Sequence, residues 1–295
     1  MASVLLVDTY SLFFRAFFAL PPMSTTAGEP TSAIYGFSVL LLKVLREQRP
    51  RGVAFALDAP ERTFRHHSYA GYKGHRARVP DALAAQLARL NQLLDAWGLP
   101  VFSAPGFEAD DVIATLAKSL SAQGMPSVVI SGDRDLFQVI DAHVHVLFVG
   151  ARGRDPALYD VGAVERRFQI EPKQLPSWVA LVGDPSDNLP GVPGIGPRTA
   201  SALIRRFGSA SNLLDHLAEV SPVKIRESLI AHAEQIRLTE GLARLRTDVP
   251  LGEGVAAGAL SSSSFSRVRD LFVVLEFKSL LARLASLETT LRESP

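Results

Sequence analysis

The first half of the chain alternates short apolar runs with segments of helical periodicity. The apolar runs predict strands at residues 3–8, 52–58, 101–102, 127–131 and 143–148. Helical periodicity predicts helices at 12–20, 31–49, 80–97 and 109–123, and a short helix from Arg134. Strands separated by helices indicate βαβ units. We therefore expect an α/β fold with a mainly parallel central sheet wrapped by helices.

Strand signals stop after about residue 160, and the remainder reads as helices broken by Pro and Gly. Residues 191–197 contain three glycines and two prolines, which fit neither a helix nor a strand ladder. The Gly-, Ala- and Ser-rich tract 252–264 predicts a flexible connection to a last helix at 268–287. We expect an α/β core at 1–160, a helical region at 161–250, and a linker with a C-terminal helix at 251–295.

Composition narrows the class of protein without naming a function. The 295 residues are 47% hydrophobic and 21% charged, as in ordinary soluble proteins, and the net charge is only +1. Any affinity for nucleic acid must then come from local basic patches. No cysteine is present, which excludes disulfides and cysteine-ligated zinc and suits a cytoplasmic location. No apolar run is long enough to cross a bilayer, so no membrane contact is expected.

Nine carboxylates lie where strands end or turns begin. They are Asp8, Asp58, Glu108, Asp110, Asp111, Asp133, Asp135, Asp184 and Asp187. The carboxyl ends of parallel strands are where such sheets bind ligands, and hard divalent ions prefer oxygen ligands. The pattern predicts a site for two or more Mg²⁺ or Mn²⁺ ions that act on phosphate. Taken singly, each acid also suits a helix cap or a turn.

A basic stretch at residues 60–80 follows the acid-ended strand at Asp58. It carries five cations and two tyrosines against one acid: Arg62, Arg65, Lys73, Arg76, Arg78, Tyr69, Tyr72 and Glu61. Cations neutralise phosphates and aromatic rings stack on unpaired bases, so the stretch suits single-stranded nucleic acid. A solvated loop is the alternative. Three histidines in the stretch lack a further soft ligand nearby, which argues against zinc.

The glycine hairpin at residues 191–196 opens onto a helix that carries Arg198, Arg205 and Arg206. Backbone amides at a helix start bind phosphate well, because glycines leave the approach open and the helix dipole favours anions. The hairpin is therefore a candidate phosphate-backbone site.

Several blocks of sequence together carry a resemblance to a known family. They are residues 5–8 (LLVD), 64–66 (FRH), 72–76 (YKGHR), 106–111 (GFEADD), 131–135 (SGDRD), 183–196 (GDPSDNLPGVPGIG) and 275–281 (LEFKSLL). In this order they resemble the 5′-nuclease (flap endonuclease) family, closest to the 5′–3′ exonuclease domains of bacterial DNA polymerases. The resemblance implies a PIN-like core with a basic arch at 60–80 and a helix–hairpin–helix near 184–207.

The resemblance also implies roles for individual residues. All nine acids match the metal-site acids of the family. It further implies that Lys73, Arg76 and Arg15 contact the substrate at the cut, and that a potassium ion sits at the helix–hairpin–helix. The implied DNA-binding residues are Tyr72, Arg65, Gly191, Gly194, Ile195, Gly196, Arg198 and Thr199. Arg134 and Arg198 depart from the family, which often has Lys there.

The expected function is a metal-dependent, structure-specific 5′–3′ exonuclease and 5′-flap endonuclease. Its substrates would be DNA with a flap, nick or RNA primer during replication and repair, and the chain would be a monomer that works with a DNA polymerase. The chain is expected to be a stand-alone relative or one domain of a polymerase. The alternatives are a non-catalytic helix–hairpin–helix DNA-binding module and a PIN-class ribonuclease.

Overall fold

The central sheet has six strands. A computed structural model describes residues 3–150, 156–252 and 257–292. The strands are β1 (Val4–Asp8), β2 (Gly52–Ala56), β3 (Val101–Phe102), β4 (Ser127–Ser131), β5 (Val144–Phe148) and β6 (Ala157–Tyr159). Their order is β3-β2-β1-β4-β5-β6; every pairing is parallel except β5 with β6. The expected mainly parallel α/β fold is confirmed, and the short antiparallel β6 was not predicted.

Helices cover both faces of the sheet and form the second half of the chain. In the first half they are α1 (Thr9–Ala19), α2 (Ser32–Gln48), α3 (Phe64–Ser68), α4 (Asp81–Ala84), α5 (Leu87–Trp97) and α6 (Ala109–Ala122). They continue with α7 (Val161–Phe168), α8 (Leu175–Val182), α9 (Pro197–Phe207), α10 (Ala210–Asp215), α11 (Val223–Ala231), α12 (Ala233–Ala243), α13 (Ser262–Val274) and α14 (Lys278–Arg292). Short 3-10 helices span Asp135–Val139, Pro172–Gln174 and Leu217–Glu219.

Strand residues alternate between two apolar layers, as both faces of a parallel sheet must be covered. Leu6 and Val129 face the layer that contains α6 and the helices after residue 160. Leu5 and Val128 face the layer formed by α1, α2, α5, α13 and α14. Residues 12–19 of the run 12–20 belong to α1, which buries Leu12, Phe13 and Ala16 and leaves Phe18 exposed. Among the described residues, no helix combines the length and apolar character that crossing a bilayer requires.

Two predicted helices are each broken in the structure. The segment 80–97 divides into α4 and α5 because Gln86 turns inward, where its side chain accepts hydrogen bonds from Ala33 N (2.8 Å) and Ile34 N (3.3 Å) at the start of α2. The segment 268–287 belongs to α13 and α14, which are separated at Glu276 with a left-handed φ of 60°. The Glu276 carboxylate accepts a hydrogen bond from Thr26 N at 2.9 Å.

The predicted flexible tract is partly attached to the sheet. Residues 253–256 lie outside the described residues, but Gly258 exchanges two backbone hydrogen bonds with Val53 on β2 (2.9 and 3.0 Å). Ser261 then caps α13 by accepting from Ser264 N. The C-terminal helices α13 and α14 bury Phe272 and Leu284 in the layer beside β1 and β2. They are part of the core rather than an appendage.

Candidate metal centre and nucleic-acid interface

Three acids lie at the carboxyl ends of adjacent strands. Asp8 is the last residue of β1, while Asp58 and Asp133 follow β2 and β4, the two neighbours of β1. Asp8 is 4% exposed and accepts hydrogen bonds from Ser131 Oγ (2.5 Å) and Ser11 N (3.4 Å). The sheet thus collects at one edge acids that are far apart in sequence.

Asp110 joins this edge from the first turn of α6. Burial raises its pKa well above the ordinary value, and the nearby charges of Asp133 and Asp8 raise it further. Burial likewise raises the pKa of Asp8 to about 7, against the Ser131 hydrogen bond and with the charges of Asp58 and Asp133 adding to the rise. These acids repel one another and favour a proton or a cation between them.

A second group lies beside the first. Carboxylate oxygens of Asp135, Asp184 and Asp187 all lie within 4.8 Å of one another. Burial and then the charges of Asp133, Asp187 and Asp184 raise the pKa of Asp135 well above its ordinary value. Close carboxylate oxygens suit a hard divalent cation, which prefers oxygen ligands. The residues present therefore fit a divalent metal.

Three of the nine predicted acids are already neutralised by basic side chains. Asp111 is fully buried and forms a two-pronged ion pair with Arg65, at 2.6 and 2.8 Å. Glu108 lies 2.9 Å from Lys73 Nζ, and Asp187 lies 2.9 Å from Arg76 Nη2. Asp111 has no exposed surface, whereas Asp187 also belongs to the group with Asp135 and Asp184.

The basic stretch folds over the acids rather than away from them. Lys73 has a left-handed φ of 52°, and its amide donates to the Asp187 carbonyl (3.1 Å) while Nζ reaches Glu108. Burial lowers the pKa of Lys73. The carboxylates of Glu108 and Asp187 together raise it by more, so the net shift of the pKa is upward. Lys73 therefore stays charged beside these acids.

Two predicted DNA contacts are buried in this conformation. Tyr72 is 3% exposed, and its hydroxyl lies 2.9 Å from Glu108 Oε2 and 2.8 Å from Asp187 Oδ2. Arg65 is 1% exposed and faces Asp111. Neither side chain offers a free surface to a base or a phosphate here.

Arg15 and a residue that we did not predict, Arg167, line the same cavity as the acids. The cavity has a volume of about 760 Å³, and its lining includes Asp133, Asp135 and Asp184. Arg15 is held by the carbonyls of Gly132 (2.9 Å) and Gly150 (3.0 Å).

The Arg167 guanidinium is held among aromatic rings. It lies 5.3 Å from the ring of Phe168, 5.6 Å from that of Tyr159 and 6.0 Å from that of Phe137, and it donates to the Tyr159 hydroxyl. Arg167 also borders the adjoining groove that contains Arg198 and Arg205. It therefore stands between the acids and the glycine hairpin. The pair Arg166-Arg167 at a helix end was the available sequence signal.

The glycine hairpin joins α8 to α9 as predicted. A Cβ on Gly191 would lie 2.2 Å from the Val182 carbonyl oxygen, so only glycine fits there, and Gly194 has a φ of +82°. Gly196 precedes the first turn of α9, where amides lack helical acceptors. Arg198 is exposed and Thr199 is half-buried. Ile195 is 5% exposed and anchors the turn in the core, so its side chain is not at the surface.

Buried carboxylates at a sheet edge, in a cavity that arginines also line, are the arrangement that metal-dependent phosphodiesterases use. Comparison with known proteins identifies the family within this class. Residues 3–169 match the family "5'-3' exonuclease, N-terminal resolvase-like domain", and residues 170–264 match "5'-3' exonuclease, C-terminal SAM fold". The chain belongs to the 5′–3′ exonuclease family.

Relatives of known sequence include DNA polymerases I. The thermostable enzyme of Thermus thermophilus is 41% identical over 294 residues, which is 99% of this chain and 34% of that protein. The Bacillus subtilis enzyme is 37% identical over 281 residues, 95% of this chain and 32% of that protein. The chain spans about a third of the length of the curated relatives it matches.

Solved structures share the fold at low identity. T5 5′-exonuclease with bound divalent zinc has a TM-score of 0.67 at 22% identity, over 92% of this chain and 99% of that chain. The catalytic core of Rad2 in complex with DNA substrate has a TM-score of 0.65 at 17% identity, over 97% and 92%. The expected family and fold are confirmed, and family membership with the carboxylate cluster supports a divalent-metal-dependent nuclease.

Proposed function

We propose that this chain is a structure-specific 5′ nuclease that hydrolyses DNA phosphodiester bonds, as a 5′–3′ exonuclease and a 5′-flap endonuclease. The observation that carries the proposal is the cluster of Asp135, Asp184 and Asp187, whose oxygens lie within 4.8 Å of one another. A protein that only binds DNA gains nothing from buried acids that repel phosphate.

Two groups of acids would hold the ions, for which Mg²⁺ is the natural choice and Mn²⁺ a substitute. Asp8, Asp110 and Asp133 form one group; burial raises the pKa values of Asp8 and Asp110, and the charge of Asp133 adds to both shifts. Asp135, Asp184 and Asp187 form the other. Asp58 and Glu108 would act through water. Bound ions would activate the attacking water and stabilise the charge that develops on the phosphate.

The basic stretch would deliver the substrate to these acids. Lys73 and Arg76 already lie 2.9 Å from carboxylate oxygens of Glu108 and Asp187, so their charges stand at the edge of the metal groups. When cations neutralise the acids, the same side chains become available to the scissile phosphate. Arg15 lines the same cavity as Arg76. Tyr72 would stack on a base only after it leaves Glu108 and Asp187.

The duplex would lie along the glycine hairpin and the start of α9. Gly194 and Gly196 leave the backbone open to phosphate, and Arg198 and Thr199 follow in the first turn. Gly191 would contribute by allowing the hairpin to pack against the end of α8. We also propose that a K⁺ ion binds at the glycine hairpin, residues 191–196. Arg167 lies between hairpin and acids and would contact a phosphate on the path between them.

The biological setting follows from the relatives. The named relatives are DNA polymerases about three times as long as this chain. We propose removal of flaps and RNA primers beside a DNA polymerase, by a cytoplasmic monomer. The division into a core at 1–160, a helical region at 161–250 and a C-terminal part at 251–295 remains a prediction.

A single assay tests the proposal. A 5′-end-labelled flap duplex is incubated with the protein in Mg²⁺ or in EDTA, beside an all-RNA strand of the same sequence. We expect cleavage at the base of the flap in Mg²⁺ and none in EDTA. Binding without cleavage in either condition would favour the DNA-binding module, and preference for the RNA strand would favour a PIN-class ribonuclease.

A further inference from the structure

Arg65 is a buried arginine whose entire guanidinium is used inside the protein. Nε donates to the Leu242 carbonyl at 2.7 Å, and Nη2 donates to the Arg244 carbonyl at 3.2 Å. Nη1 and Nη2 donate to the two Asp111 oxygens at 2.6 and 2.8 Å, and Nη1 also reaches Glu108 Oε2 at 3.2 Å. An arginine has five N–H groups, so these contacts account for all of them.

The acceptor sites of the Asp111 carboxylate are also fully occupied. Besides the two Arg65 bonds, Oδ1 accepts from Arg246 N at 2.8 Å and Oδ2 accepts from Glu108 N at 3.2 Å. A carboxylate has about four acceptor sites, and these four donors occupy them. Asp111 also has no exposed surface. It therefore has no free site for a metal ion, in contrast to its neighbour Asp110.

The ion pair joins three parts of the chain that must act together. Arg65 lies on α3, at the base of the basic stretch, and Asp111 lies in the first turn of α6 beside two predicted metal-site acids. The acceptors Leu242 and Arg244 lie at the end of α12, within the helical region. Separating α3 from α6 would leave a buried charge without its partner, and a shift of the end of α12 would leave two guanidinium N–H groups without acceptors; both are unfavourable.

We propose that Arg65 and Asp111 form a positioning pair that orients Glu108 and Asp110 toward the metal ions and fixes them relative to the DNA-gripping helical region. This proposal rests on the proposed nuclease function. It assigns Arg65 no contact with DNA and Asp111 no bond to metal. Lysine cannot replace Arg65, because a single ammonium cannot reach a carboxylate and two carbonyls in the same fork geometry.

The test compares Arg65→Lys, Asp111→Asn and the double variant, with Arg237→Lys as control because Arg237 is exposed on α12. The readouts are the Mg²⁺ concentration that gives half the maximal single-turnover rate, and flap-DNA affinity in EDTA at several salt concentrations. Residues that orient metal ligands typically change metal affinity or activity by about 10–100-fold. We expect each single variant to raise the Mg²⁺ midpoint by that factor.

The double variant decides between a pair and two independent residues. We expect its Mg²⁺ midpoint to match the larger single effect, with DNA affinity and its salt dependence unchanged. Multiplied effects would contradict the pair, as would a lower melting temperature with an unchanged midpoint. A smaller salt slope for Arg65→Lys would show a DNA contact. If wild type fails to cut, the nuclease proposal fails, while calorimetric Mg²⁺ titration still tests the pair.

Arginine modification of the wild-type protein tests the proposal even if the Arg65 and Asp111 variants do not fold. A dicarbonyl reagent modifies accessible arginines, and peptide mass spectrometry identifies them in the free protein and with flap DNA. We expect Arg65 to remain unmodified in both states and Arg237 to be modified in both. Modification of Arg65 in the free protein and protection by DNA would overturn the assignment.

Discussion

Replacing Asp8 with asparagine should stabilise the metal-free protein at neutral pH. Burial raises the pKa of Asp8 from 3.8 to about 7. The folded state therefore holds the Asp8 proton more tightly than the unfolded state, so the stabilisation is complete below about pH 4 and is lost as pH rises through 7. A difference of about three pKa units corresponds to about 4 kcal/mol. Asparagine keeps the shape and removes the charge.

The assay is urea unfolding in EDTA at pH 5 and pH 8, with Asp81→Asn as control because the Asp81 side chain is 93% exposed. We expect wild type to lose stability between pH 5 and pH 8. Asp8→Asn should lose less and exceed wild type at pH 8 by up to about 4 kcal/mol. Saturating Mg²⁺ should abolish this advantage, since the ions neutralise the wild-type acid.

The reasoning is refuted if Asp8→Asn and wild type show the same pH dependence in EDTA. It is also refuted if wild type is more stable at pH 8 than at pH 5 without metal. An equal effect of Asp81→Asn would show that general charge, rather than the buried site, sets the trend.

Three further variants test separate parts of the account. Lys73→Ala should slow flap cleavage on the order of 100-fold in single-turnover assays, since it removes the cation that we propose contacts the scissile phosphate. Calorimetry should show that metal binding survives, and its loss would contradict the assignment. Gly191→Ala should lower the unfolding free energy by about 1–3 kcal/mol in urea, because its Cβ would clash with a carbonyl at the end of α8. Gly196→Ala has open space and should stay close to wild type in stability. Arg167→Met should weaken flap binding and reduce the slope of log binding constant against log salt concentration by about 1. Arg166→Met is the control. Equal slopes for the two variants would show that Arg167 does not contact the DNA.

Much of the sheet could be predicted because its strands are continuous apolar runs. The strands at 101–102 and 127–131 match the sequence expectation in full, and the others differ at their ends. A parallel sheet buried on both faces requires such runs, so the pattern is strong. β6 has only three residues and carries no comparable signal. The break at Gln86 depends on a capping contact with α2, which local periodicity cannot show.

The gathering of the strand-end acids could be predicted, because parallel strands place their carboxyl ends at one edge of the sheet. What the sequence could not show is which acids carry unpaired charge. Asp111 and Asp110 are adjacent and identical in type, yet Asp111 is matched by Arg65 while Asp110 faces Asp133 and Asp8. The partner of Asp111 lies 46 positions away in the chain. Long-range pairing of this kind is fixed by the fold rather than by spacing.

The most direct test of the metal centre compares wild type with Asp133→Asn on one flap duplex. Asp133 belongs to the group with Asp8 and Asp110, lies near Asp184 and Asp187 of the other group, and borders the cavity. In Mg²⁺ we predict cleavage by wild type and none by Asp133→Asn, with equal affinity of both proteins for the duplex in EDTA. Cleavage by Asp133→Asn at the wild-type rate in Mg²⁺ would contradict the account.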